Sequence, residues 1–115
     1  MHHPVTAPPG FSIRIRPERD HVIVALGGEL DLATVERAER WARALFRRGF
    51  ASIAFDLRRL TFIDSSGLRL LLLLDRIAAA GGARFAIIDG EGPVRRLLQL
   101  TGLTDHFARV APSAA

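Results

Sequence analysis

The side chains with the most chemistry in this chain gather around Asp64-Ser65-Ser66-Gly67, between Thr61-Phe62-Ile63 and a leucine-rich segment. A serine hydroxyl there could act as a nucleophile, cap a helix, or form part of a surface that binds another protein. The nucleophile needs a histidine held by an acid and a sharp Gly-x-Ser-x-Gly turn to present it. No such elbow exists, and only His21 and His106 fall in the expected folded region. Hydrolase chemistry therefore has little support. His2-His3 could touch a metal, but no carboxylate-histidine cluster has ligand spacing. Gly81-Gly82 and Gly90-Glu91-Gly92 lack the Lys-Ser/Thr of a phosphate loop and read as helix punctuation. No catalytic residue, metal or cofactor is implied, and the chain does not read as an enzyme.

Capping is the plainer chemistry. A strand-to-helix junction leaves the first helical N–H groups without intrahelical partners, and the helix dipole favours negative charge there. Asp and Ser suit that position, so a capped helix with a flexible Gly67 explains the tetrapeptide without any function. The helix that follows adds a second signal. At about 100° per residue, Leu70, Leu71, Leu74, Ile77 and Ala78 share one side and can serve a core. Arg69, Leu72, Leu73 and Arg76 lie on the other side, in line with the serines. Paired leucines rimmed by arginines and turned from the core mark an interface, or a surface that another helix of the same chain covers.

The elements that must position these groups follow from periodicity. Phe11 to Arg16 alternates Ile13 and Ile15 with polar residues, and Val22 to Leu26 is a β-branched run ending at Gly27-Gly28, so the two pair as a hairpin across Pro17-Glu18-Arg19-Asp20. Val35, Ala38, Trp41, Ala42 and Leu45 then fall on one helical face, with Asp31 as N-cap and Gly49 as stop. That spacing predicts a helix over Leu32 to Arg48. Ile53-Ala54-Phe55 reads as a short buried strand ending at Asp56, and Thr61-Phe62-Ile63 leads into the tetrapeptide. Further helices are expected over Ser66 to Ala80 and Pro93 to Thr101, with strands at Arg84 to Ile88 and Phe107 to Val110. Strands separated by helices imply parallel crossovers, so the expectation is one α/β domain: a mixed sheet of about five strands with three main helices packed on it.

Composition sets the setting. The 115 residues suit one core, expected over 11–110, with a flexible proline-rich tail over 1–10 and a short tail over 111–115. No apolar run approaches the roughly 20 residues of a membrane span, and the N-terminus lacks the pattern of a signal peptide. With no cysteine, the cytoplasm is the default compartment. All sixteen basic residues are arginine and the net charge is only +4. The arginine pairs at 47-48, 58-59 and 95-96 sit beside acidic or apolar residues, without the aromatic interleaving of a nucleic-acid surface.

Several segments together resemble a known family. Gly28-Glu29-Leu30-Asp31, Asp56-Leu57, Phe62-Ile63-Asp64-Ser65-Ser66-Gly67-Leu68 and Thr101-Gly102-Leu103 are similar to the STAS domain, and within it to bacterial anti-sigma factor antagonists. The resemblance implies a regulatory protein that binds a histidine-kinase-like serine kinase acting as anti-sigma factor. That partner phosphorylates the second serine of the motif, here Ser66, and the unphosphorylated form frees the sigma factor. The corresponding partner surface is Asp31, Asp64, Ser65, Gly67 and the exposed start of the second helix, which here carries Arg69, Leu72, Leu73 and Arg76. In this picture Ser65 is the N-cap and Ser66 the first helical residue, its hydroxyl outward, with Gly67 leaving room for the kinase. A constitutive scaffold or transporter-associated module, whose serines only cap a helix, is the other role such a domain can take. The family commonly adds a helix after the last strand, where only Ala111-Pro112-Ser113-Ala114-Ala115 remain here. The chain is expected to be a monomer or weak homodimer, with no nucleic acid or membrane as partner.

Overall fold

The computed structural model describes residues 10–111. Five strands, β1 (Ser12–Pro17), β2 (Val22–Leu30), β3 (Ser52–Ile63), β4 (Arg84–Ile88) and β5 (Ala108–Arg109), form one sheet in the order β1-β2-β3-β4-β5. Between them run α1 (Val35–Arg47), α2 (Ser65–Ala80) and α3 (Pro93–Thr101). β1 and β2 pair antiparallel, and every later neighbour pair is parallel. This is the expected mixed α/β sheet with three helices.

Strand order that follows chain order has a layering consequence. Parallel crossovers are right-handed, so three successive steps in one direction deliver all three helices to the same face. The buried side chains agree. Ala38, Ala42 and Leu45 of α1, Leu70, Leu71, Leu74 and Ala78 of α2, and Val94 and Leu98 of α3 share one core with Val22, Val24, Ile53, Phe55, Phe85 and Ile87. The alternate strand positions Ile23, Ala54, Ala86 and Ile88 form a smaller cluster on the other face, to which no helix among the described residues contributes.

The structure redraws several boundaries. β3 does not stop at Asp56 but runs unbroken through the charged stretch to Ile63. Asp56, buried in mid-strand, is tolerated because Arg58 reaches back to it, Nε donating to Oδ1 at 2.9 Å and the second guanidinium nitrogen to Oδ2 at 2.7 Å. β2 likewise continues past Gly27-Gly28 to Leu30. Its pairing with β3 slips by one residue between Ala25 and Gly27 and again between Gly28 and Glu29, each time with the extra residue on β3. Trp41, expected inside, is 48% exposed. The fully buried positions of α1 are Ala38, Ala42 and Leu45, with Val35 and Phe46 packed at the edge of the core. The expected tails lie outside the described residues apart from Gly10 and Ala111. Gly10 belongs to the folded body, because its carbonyl fills the space a side chain at Gly28 would need. No helix among the described residues is long and apolar enough to cross a membrane.

Candidate functional site

The site forms where β2 and β3 end side by side. Leu30 is paired with Ile63, so the next residues, Asp31 and Asp64, leave the sheet together. The Asp64 N–H donates to the Leu30 carbonyl at 3.3 Å, which fixes the start of α2 to the end of β2.

Asp64, not Ser65, is the N-cap of α2. Its backbone is extended and its Oδ1 accepts from the N–H groups of Ser66 at 2.9 Å and Gly67 at 3.2 Å. A carboxylate reaches two orphan donors and adds full charge at the positive end of the dipole, which a serine hydroxyl one residue later cannot match. Ser65 is therefore the first helical residue and exposed, and Ser66 the second and half-buried. Neither hydroxyl hydrogen-bonds to another described residue.

Gly67 also departs from expectation. It is buried, and a Cβ there would crowd the Leu30 carbonyl and the Ile63 side chain. It lets α2 approach the sheet rather than opening space for a partner. Asp31 does not cap α1, whose N-cap position is Thr34. Asp31 instead closes the turn before the helix, its Oδ1 accepting from the Ala33 N–H at 3.0 Å. Buried Thr34 holds that turn, its hydroxyl donating to the Glu29 carbonyl at 2.8 Å and accepting from the Asp31 N–H at 3.0 Å.

Between α1 and α2 lies a groove of about 350 Å³. Leu32, Val35 and Glu39 line one wall; Ser66, Arg69, Leu73 and Arg76 line the other. Leu72 and Leu73, expected to be exposed, are both half-buried. Leu72 packs against the main core, and Leu73 faces the groove opposite Val35 and Glu39 of α1. Arg69 and Arg76 are exposed as expected. The apolar residue that does stand free is Leu32, 79% exposed at the groove rim beside Asp31. Phe62, on β3 just before the site, is 46% exposed. Sequence periodicity missed both. Leu32 lies in a turn, where no periodic face is defined, and its only signal is a bulky aliphatic residue between Asp31 and Ala33.

A one-sided two-layer arrangement, a sheet with its helices on a single face, with a carboxylate-capped helix presenting one serine to a shallow groove, defines a small α/β domain with an open surface at the strand ends. The chain belongs to the STAS domain family, whose model matches residues 12–115. It is 36% identical over 94 residues to an anti-sigma F factor antagonist of Paenibacillus polymyxa, covering 81% of this chain and 80% of that one. Its fold is similar to that of the anti-sigma factor antagonist SpoIIAA in its unphosphorylated form, with TM-score 0.71 and 27% identity over 87% of this chain and 89% of that one. It is also similar to the Bacillus cell fate determinant SpoIIAA in the phosphorylated form, with TM-score 0.67 and 26% identity over 87% of this chain and 92% of that one.

Proposed function

We propose that this chain is a cytoplasmic anti-sigma factor antagonist. In its unphosphorylated form it binds a histidine-kinase-like serine kinase that serves as anti-sigma factor, and phosphorylation of Ser66 ends the complex. The observation that carries the reading is the difference between the serines: Ser66 lines the α1–α2 groove and Ser65 does not. A phosphate on Ser66 therefore lands in the apolar groove that would receive the partner. It brings about −1.5 to −2 charges close to the carboxylate of Asp64. The fold has reason to survive, since a helix N-terminus accepts anions and the cap does not depend on either serine.

Asp31 and Asp64, side by side at the strand ends, supply the polar corner of the docking surface; Leu32, Leu73, Arg69 and Arg76 supply its apolar groove and basic rim. The structural similarity to SpoIIAA in both phosphorylation states supports the reading. The test is incubation with the cognate kinase and ATP, followed by peptide mapping. Phosphate on Ser66 and loss of the complex are expected. A stable complex with no phosphate transferred would assign the chain to the constitutive scaffold role instead.

A further inference from the structure

The face of the sheet to which no helix among the described residues contributes carries a basic trough. Ser12, Arg14 and Arg16 of β1 alternate with the core residues Ile13 and Ile15, so they project from that face. Opposite them β2 places Ile23 against Arg16, but only Ala25 against Arg14 and Gly27 against Ser12, so the floor is low over those last two pairs. On β3, Leu57 and Leu60 are both buried in the main core, and the slip in pairing at this point puts the consecutive residues Arg58 and Arg59 on the same outer face. The result is a trough of about 310 Å³ whose floor is nearly bare backbone and whose walls carry two arginines on each side. Strands either side of a shared neighbour lie roughly 10 Å apart, a width that lets guanidinium groups from both walls reach one small guest.

The charges are unbalanced. Asp56 is committed to Arg58, and Glu18 lies 3.1 Å from Arg16. Arg14 and Arg59 have no acidic partner among the described residues, and the residues outside the described segment contain no Asp or Glu. Asp56 also lines the trough, so the uncompensated charges are Arg14 and Arg59; arginine stems alone could cover a sheet, but stems do not require two unpartnered guanidinium groups on opposite walls over the low floor of Ala25 and Gly27. Guanidinium forks match oxyanions through paired N–H donors, and such charge-assisted bonds are stronger than neutral ones.

We propose that this trough binds a compact polyvalent oxyanion, independently of the groove that contains Ser66. The test is titration of the ¹⁵N-labelled protein with inorganic pyrophosphate and, separately, with citrate, at ionic strength matched with sodium chloride. Saturable shifts confined to the amides of Arg14, Gly27, Arg58 and Arg59 are expected. Saturation by pyrophosphate alone assigns a phosphate ligand, by citrate alone a carboxylate, and by both an oxyanion site of either kind. Arg14→Gln and Arg59→Gln should each weaken binding about tenfold or more, while Arg40→Gln on α1 leaves it unchanged. Unchanged thermal melting would show that the variants remain folded, and either one suffices if the other does not. Absence of saturation, equal binding by the variants, or shifts spread equally over α1 would overturn the proposal.

Discussion

Gly67 lies directly on Leu30: a Cβ at Gly67 would come within 3.0 Å of the Leu30 carbonyl oxygen and 2.7 Å of the Ile63 side chain. The same carbonyl accepts the Asp64 N–H, so the α2 N-terminus is seated on the end of β2 by a hydrogen bond and by the absence of one methyl group. Gly67→Ala should therefore push the helix off its seat and destabilise the domain by about 1–3 kcal/mol, read from the urea midpoint. An unchanged midpoint would show that the helix start can shift freely.

Phosphate chemistry should separate the two serines. Ser66→Ala is expected to bind the kinase without being switched off, and Ser66→Asp to bind about tenfold more weakly or worse, a loss of roughly 1.4 kcal/mol. A charge at Ser66 sits in the groove that the partner would fill, and burying it there without a matched counter-charge from the partner costs at least this much. Both variants should keep near wild-type circular dichroism. Phosphopeptide mapping to Ser65, or equal affinities, would reject the assignment.

Leu72 and Leu32 should behave oppositely. Leu72 packs on the core, so Leu72→Asp should lower the melting temperature and lose binding only as the fold is lost. Leu32 is exposed at the groove rim, so Leu32→Asp should leave stability within about 0.5 kcal/mol and still weaken the complex. Surface plasmon resonance beside thermal melts reads both. A Leu32→Asp protein that binds normally would move the interface away from the groove.

Acid should weaken the far end of the sheet. Burial pushes the Asp89 carboxyl upward, but the Arg109 guanidinium 2.9 Å away outweighs it and holds the group below its ordinary range. A lowered folded pKa contributes stability that is complete above the unfolded value, about 3.9, and is lost as pH falls through the folded value. Asp56, where burial is outweighed by its bonds to Arg58, adds to the same trend. Denaturation midpoints should fall as the pH drops below about 4, and Asp89→Asn should flatten that fall while removing about 1–3 kcal/mol at neutral pH. A pH profile unaltered by the substitution would discount the pair.

Much of the architecture is legible in the sequence because each signal is local. The alternation at Ile13 and Ile15, the Pro93 start and Gly102 stop of α3, and the apolar run of β4 give those elements within a residue of their observed bounds. The misses arise where a neighbour's side chain changes what a residue can do, which residue type and periodicity do not record. Asp56 looks like a strand end until Arg58 is seen to neutralise it. Asp31 looks like a cap until Thr34 takes over the turn, and Ser65 looks like a cap until Asp64 is seen to reach two N–H groups. The helical face that carries Leu72 and Leu73 reads as exposed because periodicity along one helix contains no information about where the neighbouring elements lie. The serine motif was legible by type and spacing, while the groove into which Ser66 faces required the fold.

Strand order that repeats chain order also bears on how the protein is made. As the chain leaves the ribosome, β2 waits only for β3, β3 only for β4 and β4 only for the two-residue β5. No strand must insert between two already paired, so the sheet can grow by accretion from its N-terminal hairpin. Chains emerge at about 5–20 residues per second, slow beside hairpin closure in about 1–10 μs, which leaves each strand time to dock before the next appears. The exposed growing edge is always the most recently synthesised strand, and it is capped last by a strand too short to recruit another molecule of the same kind.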